Sequence, residues 1–258
     1  MIAAMFFLFG IIFGSFLNVC IHRFPREESI VWPGSHCPGC NGAIAWYDNI
    51  PLFSFLALRG KCRKCKAPIP MRYFWVELAT GVIWMMFGMQ YGLSLMTAAG
   101  IVYFTILLAI TATDFETGYI PDKLTFPGMA AGLVLSAFFP GLHGQASLLR
   151  GLLHSFLGLL TGGGILLLMG MAGNLIYKKE SMGGGDIKLM AMMGAFLGIK
   201  KILIAFLLGP ILALPFALYA KWVKRDETIP YGPFLALAGA WLFFFGDVIW
   251  NYFFLLPS

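Results

Sequence analysis

The sequence predicts an all-α polytopic membrane protein of about eight transmembrane helices, with a small cytosolic domain between the first and second. Three observations lead there. Hydrophobic residues make up 59% of the 258 and charged residues only 12%, against roughly 25% charged in soluble domains. The apolar residues lie in long runs, as helical spans of about 20 residues require. The basic residues crowd onto alternate connections between those runs, which is the mark of membrane orientation. The net charge of +6 is explained by that topology, so no nucleic-acid partner is inferred from it.

The expected spans are residues 1–21, 74–91, 94–113, 124–140, 150–176, 187–199, 202–222 and 232–256. Residues 1–21 carry no Lys or Arg, so they lack the positive start of a signal peptide and read as a retained helix. With the N-terminus outside, the cytosolic loops hold every Lys and Arg except Arg150, Lys200 and Lys201. Lys178, Lys179, Lys188, Lys224 and Arg225 are among those inside. The run 187–199 is too short for a straight span. It either extends backward through the preceding glycines or forms a hairpin with 202–222. GxxxG spacings at Gly10/Gly14, Gly128/Gly132, Gly158/Gly162 and Gly194/Gly198 predict close helix crossings. Thr161-Gly162-Gly163-Gly164 lacks the strand and the Lys of a phosphate loop and reads as packing. The Met190, Met192, Met193 run reads the same way.

The connection 22–73 is the one large polar stretch. It holds Cys37-Pro38-Gly39-Cys40 and Cys62-Arg63-Lys64-Cys65. Two CxxC pairs can supply four thiolates to one tetrahedral Zn²⁺. About fifty residues bury little core, so a metal crosslink is physically sensible there. Two disulfides are the competing reading, disfavoured in a reducing compartment. A redox motif is another, but no βαβ pattern surrounds either pair. Four protein ligands would leave no open position for metal catalysis. The expected organisation is thus a first helix (1–21), a zinc-binding domain (22–73) and a membrane domain (74–258). Cys20, at the end of the first run, reads as packing.

Acidic residues are few, and two stand where apolar runs meet the cytosol. Asp114 ends the third run. Asp186 opens the sixth, inside Met182–Leu189, MGGGDIKL. An ionisable group at a membrane segment is a functional-site hypothesis by default. If the two carboxylates meet, they share a proton: one activates water while the other polarises a carbonyl. The plainer alternative makes both interfacial residues, since an Asp at a helix N-terminus is favourable without catalysis. Glu116 and Asp122 compete as partners of Asp186, although Asp122, between Pro121 and Lys123, reads more simply as a cap on the fourth helix.

Several motifs together resemble the bacterial type IV prepilin peptidases, also called leader peptidase/N-methyltransferases. They are Gly14-Ser15-Phe16-Leu17-Asn18-Val19 with Arg23 and Pro25, and Trp46-Tyr47-Asp48-Asn49-Ile50-Pro51 with Arg59-Gly60-Lys61-Cys62. The block Asp114 to Asp122, Gly183-Gly184-Gly185-Asp186-Ile187-Lys188, and Ile229-Pro230-Tyr231-Gly232-Pro233-Phe234 complete the set. Tyr231 stands where that family commonly has Phe. The resemblance implies an inner-membrane aspartic endopeptidase with Asp114 and Asp186 as catalytic pair and Cys37, Cys40, Cys62 and Cys65 as zinc ligands. It implies prepilins or type II secretion pseudopilins as substrates, cut at the cytosolic face after a glycine. It also implies N-methylation of the new terminus with S-adenosylmethionine, for which no glycine-rich nucleotide fingerprint is present. Glu77 is a candidate participant there, with pairing to Arg72 as the simpler role. A peptidase without methyl transfer, a zinc-stabilised scaffold and an ion transporter with intramembrane aspartates are the alternatives.

Overall fold

The computed structural model describes residues 1–178, 182–224 and 230–254. Lys179, Arg225, Ile229 and the end of the last expected span lie outside the described residues. Among the described residues the α-helices are α1 (Ile2–Arg23), α2 (Phe53–Ala57), α3 (Met71–Tyr91), α4 (Leu95–Thr117), α5 (Asp122–Phe138), α6 (Leu148–Tyr177), α7 (Gly184–Tyr219) and α8 (Gly232–Phe254). Among the described residues five helical stretches are long and apolar enough to cross a membrane: Ile2–Arg26, Leu95–Thr117, Leu148–Ile176, Gly184–Trp222 and Gly232–Phe253. The expected spans at 74–91 and 124–140 are present as the helices α3 and α5, but neither is among those five. The chain divides into two compact units, Met1–Ile101 and Val102–Ser258.

In the first unit α1 packs along α3. The contact is close because α1 offers glycines. A Cβ at Gly10 would lie 2.8 Å from the Gly81 Cα, and one at Gly14 would lie 2.8 Å from the Glu77 Cα. Cys20 is buried in this packing, as expected. At the end of α1 the buried Arg23 turns its guanidinium onto the carbonyls of Ser29 and Pro33, both at 2.7 Å, and so ties down the start of the connection.

The second unit is built around α7. Its residues Leu189–Met193 and Ala195–Leu197 are all buried, as befits a helix that is apolar on every side. The helix is interrupted at Gly198, whose φ of 73° and ψ of 177° are not helical, and there the chain doubles back. A Cβ on Gly162 of α6 would lie 2.9 Å from the Met190 carbonyl carbon and 3.0 Å from the Ile202 Cγ1. Those two residues would be about 18 Å apart along a straight helix. Residues 184–197 and 199–219 are therefore two antiparallel limbs. Both options left open by the sequence hold together: the short run starts early, at Gly184, and it ends in a hairpin.

Glycine pairs mediate the crossings here too. Gly158 of α6 lies against the Gly194 backbone and the Gly198 Cα, while Gly128 and Gly132 of α5 lie against Met192 and Ala195. Tyr103 of α4 stacks between Phe196 (5.0 Å) and Phe243 (5.4 Å). At the Gly198 turn, Ser136 contacts the His143 Nε2 at 2.8 Å, and Lys201 pairs with Asp247 at 2.7 Å.

Candidate active site and metal centre

The two cysteine pairs sit on two copies of one small turn, offset by 25 positions. In the first, the Cys37 N–H donates to the Gly42 carbonyl, Asn41 N–H to Cys37, and Ile44 N–H to Ser35. In the second, Cys62 donates to Ala67, Lys66 to Cys62, and Ile69 to Gly60. Each turn closes with a left-handed residue, Asn41 (φ 50°) or Lys66 (φ 61°), and each carries one isolated bridge, His36 to Ala43 and Lys61 to Pro68. The repeat is legible in the sequence only as Cys-x-x-Cys with an Ile four positions beyond each second Cys.

The result is a cluster of Cys37, Cys40, Cys62 and Cys65, whose sulfurs all lie within 4.8 Å of one another. Cys37 Sγ and Cys65 Sγ are 3.7 Å apart. Tetrahedral ligation with metal–sulfur bonds of about 2.3 Å needs sulfur–sulfur edges of about 3.8 Å, so the donor set fits. Two of the four thiols are shifted, in opposite directions. The Cys62 thiol is drawn down to about 6, first by the backbone N–H groups of Cys65 and Lys64. Cys65 goes the other way, to about 11: the Ala67 N–H draws it down, but desolvation and the neighbouring cysteines outweigh it. Beside the cluster, Arg63 grips Asp48 through two guanidinium nitrogens (Nε at 2.8 Å, NH2 at 2.7 Å) and so joins the second turn to the Trp46–Asn49 helix.

In the same unit Glu77 is buried, and its Oε2 accepts the Leu52 N–H at 2.7 Å. Leu52 holds a left-handed φ of 59° as it enters α2, so the carboxylate anchors an otherwise unfavourable backbone. Arg72 lies over the Tyr73 ring, 4.9 Å from its centroid.

In the second unit Asp114 lies in the last turn of α4 and is buried. Its Oδ2 accepts the backbone N–H of Gly232 at 3.1 Å. That donor is free because Gly232 begins α8, where N–H groups have no partner within the helix. The approach needs glycine: a Cβ at 232 would lie 2.7 Å from that oxygen and 3.0 Å from the Ile120 Cδ1. Asp186 lies in the first turn of α7, half-buried. Gly185 beside it rests on the same Ile120, where a Cβ would come within 2.8 Å. Ile120 is thus wedged between the glycines that carry the two carboxylates' surroundings. Asp114 and Asp186 lie within electrostatic reach of each other, and Tyr231 within reach of Asp186.

Of the competing acids, Asp122 is in the first turn of α5, whose N-cap is Pro121, and its carboxylate pairs with Lys188 at 2.6 Å. Glu116 is exposed. Two participants were not anticipated. Gly232 was visible as the start of a helix, but nothing in a sequence says where a backbone N–H will point. Lys188 was read as a topological charge and as the end of the Gly183–Lys188 motif, with no partner named.

Residues 8–91 match the bacterial peptidase A24 N-terminal domain, and residues 101–218 match the type IV leader peptidase family. The chain is similar to proteins named prepilin leader peptidase/N-methyltransferase. That of Neisseria gonorrhoeae is 32% identical over 94% of this chain and 90% of its own length. That of Aeromonas hydrophila is 34% identical over 95% and 91%. That of Myxococcus xanthus is 39% identical over 76% of this chain and 56% of its own length. No solved structure matches.

Proposed function

The chain belongs to the type IV leader peptidase family, and from that premise we propose a membrane aspartic endopeptidase that removes the leader of type IV prepilins and type II secretion pseudopilins. The observation that carries the reading is the arrangement of Asp114, Gly232, Ile120 and Asp186 around one point. A backbone N–H donor is best used by an ionised carboxylate, which makes Asp114 the base. Asp114 takes a proton from water as its oxygen attacks the scissile carbonyl. Asp186, protonated, gives its proton to the carbonyl oxygen. Collapse of the resulting gem-diol breaks the C–N bond: the leaving amine takes the proton from Asp114, and a diol hydroxyl returns its proton to Asp186 as the new carboxyl group forms. The exposed Gly183–Gly184 stretch before Asp186 gives an extended substrate backbone room to approach.

The same protein N-methylates the new terminus. S-adenosylmethionine supplies the methyl group, and the chain's part is to hold the amine as a free base. In the first unit the buried Glu77, with the Ser15 hydroxyl beside it, suits a cationic partner. The four cysteines hold a structural Zn²⁺, which crosslinks a connection with little core of its own. Eight spans follow once α3 and α5 cross and the two α7 limbs count separately. The distribution of Lys and Arg then turns the zinc-binding connection, Asp114 and Asp186 to the cytosolic face of the inner membrane.

Purified protein mixed with a prepilin tests this. Leader release should fail in Asp114→Asn and in Asp186→Asn separately, and the cleaved product should gain one methyl mass only with S-adenosylmethionine. Cleavage surviving in either variant removes that residue from the pair; no leader release from the unmutated protein favours the scaffold reading.

A further inference from the structure

The metal-binding connection carries large apolar side chains on its outside. Phe53 and Leu56 are each 64% exposed and Trp46 is 80% exposed. Phe53 and Leu56, three positions apart, share one face of α2. The other side of α2 is engaged with α3: Phe55 meets Phe74 at 5.6 Å, and the Leu52 N–H reaches Glu77. These contacts fix the height of α2. Glu77 is six residues beyond the start of α3, about 9 Å along its axis. So α2 lies beside the first turns of α3 rather than beyond its end. At that height α3 exposes Met71 and Trp75, 54% and 58%, and Trp is the residue typical of the membrane–water interface. The chain that follows α2 exposes Lys61, Lys64 and Lys66.

We propose that α2 is an interfacial helix, resting on the reading of α3 as a span. Its Phe53–Leu56 face sinks into the headgroup–acyl boundary of an anionic leaflet, continuous with the lipid-facing Met71 and Trp75. The three lysines face the anionic headgroups. An apolar face with flanking cations is the composition such helices use. The height argument decides for lipid over a protein partner, because the bilayer is already present at the level where α2 is held.

The test places p-benzoylphenylalanine at position 53, 56 or 36 of the full chain. Position 36, an exposed residue of the first cysteine turn, is the aqueous control. Each protein, with its metal, is reconstituted in vesicles of phosphatidylcholine and phosphatidylglycerol, irradiated, digested and weighed by mass spectrometry. Lipid adducts at 53 and 56 with none at 36 are expected, and phosphatidylglycerol should be enriched in them over its share of the vesicle. Loss of lipid adducts at both positions overturns the proposal, as do crosslinks to a second copy or to added prepilin. Adducts that merely follow the bulk lipid composition overturn its anionic part. Leader release on the same vesicles reads the proposed activity separately, so either can fail without the other.

Discussion

Replacing Gly232 by Ala tests the active-site geometry at its tightest point. The added Cβ would sit 2.7 Å from Asp114 Oδ2, where ordinary contact begins at 3.4 Å. The difference, 3.4 − 2.7, is 0.7 Å, and the carboxylate must give way by about that much. The same Cβ would also lie 3.0 Å from the Ile120 Cδ1, so it is crowded by a second side chain as well. The N–H···O contact, now 3.1 Å, would open beyond hydrogen-bonding range. A displacement approaching 1 Å at a catalytic group costs on the order of 100-fold in rate, or about 2.7 kcal/mol. The loss should fall on kcat, with KM nearly unchanged, because the substrate is gripped elsewhere. Initial rates of leader release over a range of prepilin concentrations measure both. Methylation of an already cleaved pilin and metal content on the same preparation show that the variant is folded. A Gly232→Ala enzyme that cleaves within about twofold of the parent would refute the reasoning, since the clash is with the carboxylate itself.

Either Asp→Asn variant should lose about 10²–10⁴-fold in cleavage, the usual worth of positioned acid–base catalysis, read from leader release by mass. Metal removal by a strong chelator should unfold the 24–70 connection while leaving the helical far-ultraviolet signal of the membrane helices nearly intact; loss of the whole helical signal would contradict this. Gly158→Val should push α6 off the first limb of α7 and lower the thermal midpoint in detergent, an overpacking cost of about 1–3 kcal/mol or more; an unchanged midpoint would show the crossing to be looser than described. His143 is pushed down to about 4, first by burial, then by His154 and Lys201, with Asp247 opposing. The folded state therefore binds fewer protons than the unfolded between about pH 6.5 and 4, and stability should fall as pH drops through that window, by at most about 3 kcal/mol. His143→Gln should flatten this dependence in pH-resolved melts.

Helical class, the ends of most runs, the glycine crossings and the cysteine set were all legible in the chain because each depends on local spacing or composition. Gly158 even proved to be the partner of both Gly194 and Gly198, which spacing alone does not say. The reversal at Gly198 was only one of two options, because a glycine in an apolar run is compatible with both a kink and a straight helix until its neighbours are known. The same holds for the acids. Asp114 and Asp186 could be placed at the ends of runs, but the carboxylate that pairs with Lys188 and the one that meets Gly232 are sorted by long-range packing. Glu77 shows the limit most plainly: its partner is a backbone N–H 25 residues away in the chain, and no side-chain pattern announces a backbone partner.

The duplicated cysteine turn would also govern how the proposed Zn²⁺ is captured and kept. Each turn is hydrogen-bonded within itself and presents two sulfurs, so the first can bind an ion alone, weakly. The second then competes as a tethered ligand at an effective concentration of about millimolar, over a ring whose closure cost grows only slowly with its length. Cys40 and Cys65 are exposed, one from each turn, so an incoming chelator can strip a single sulfur at either side. With a metal bound, the two turns would make that stripping reversible, because three cysteines would still hold the ion while the fourth returned. Exposure and slow exchange could then coexist at this centre, and metal loss should require a competitor able to replace one whole turn.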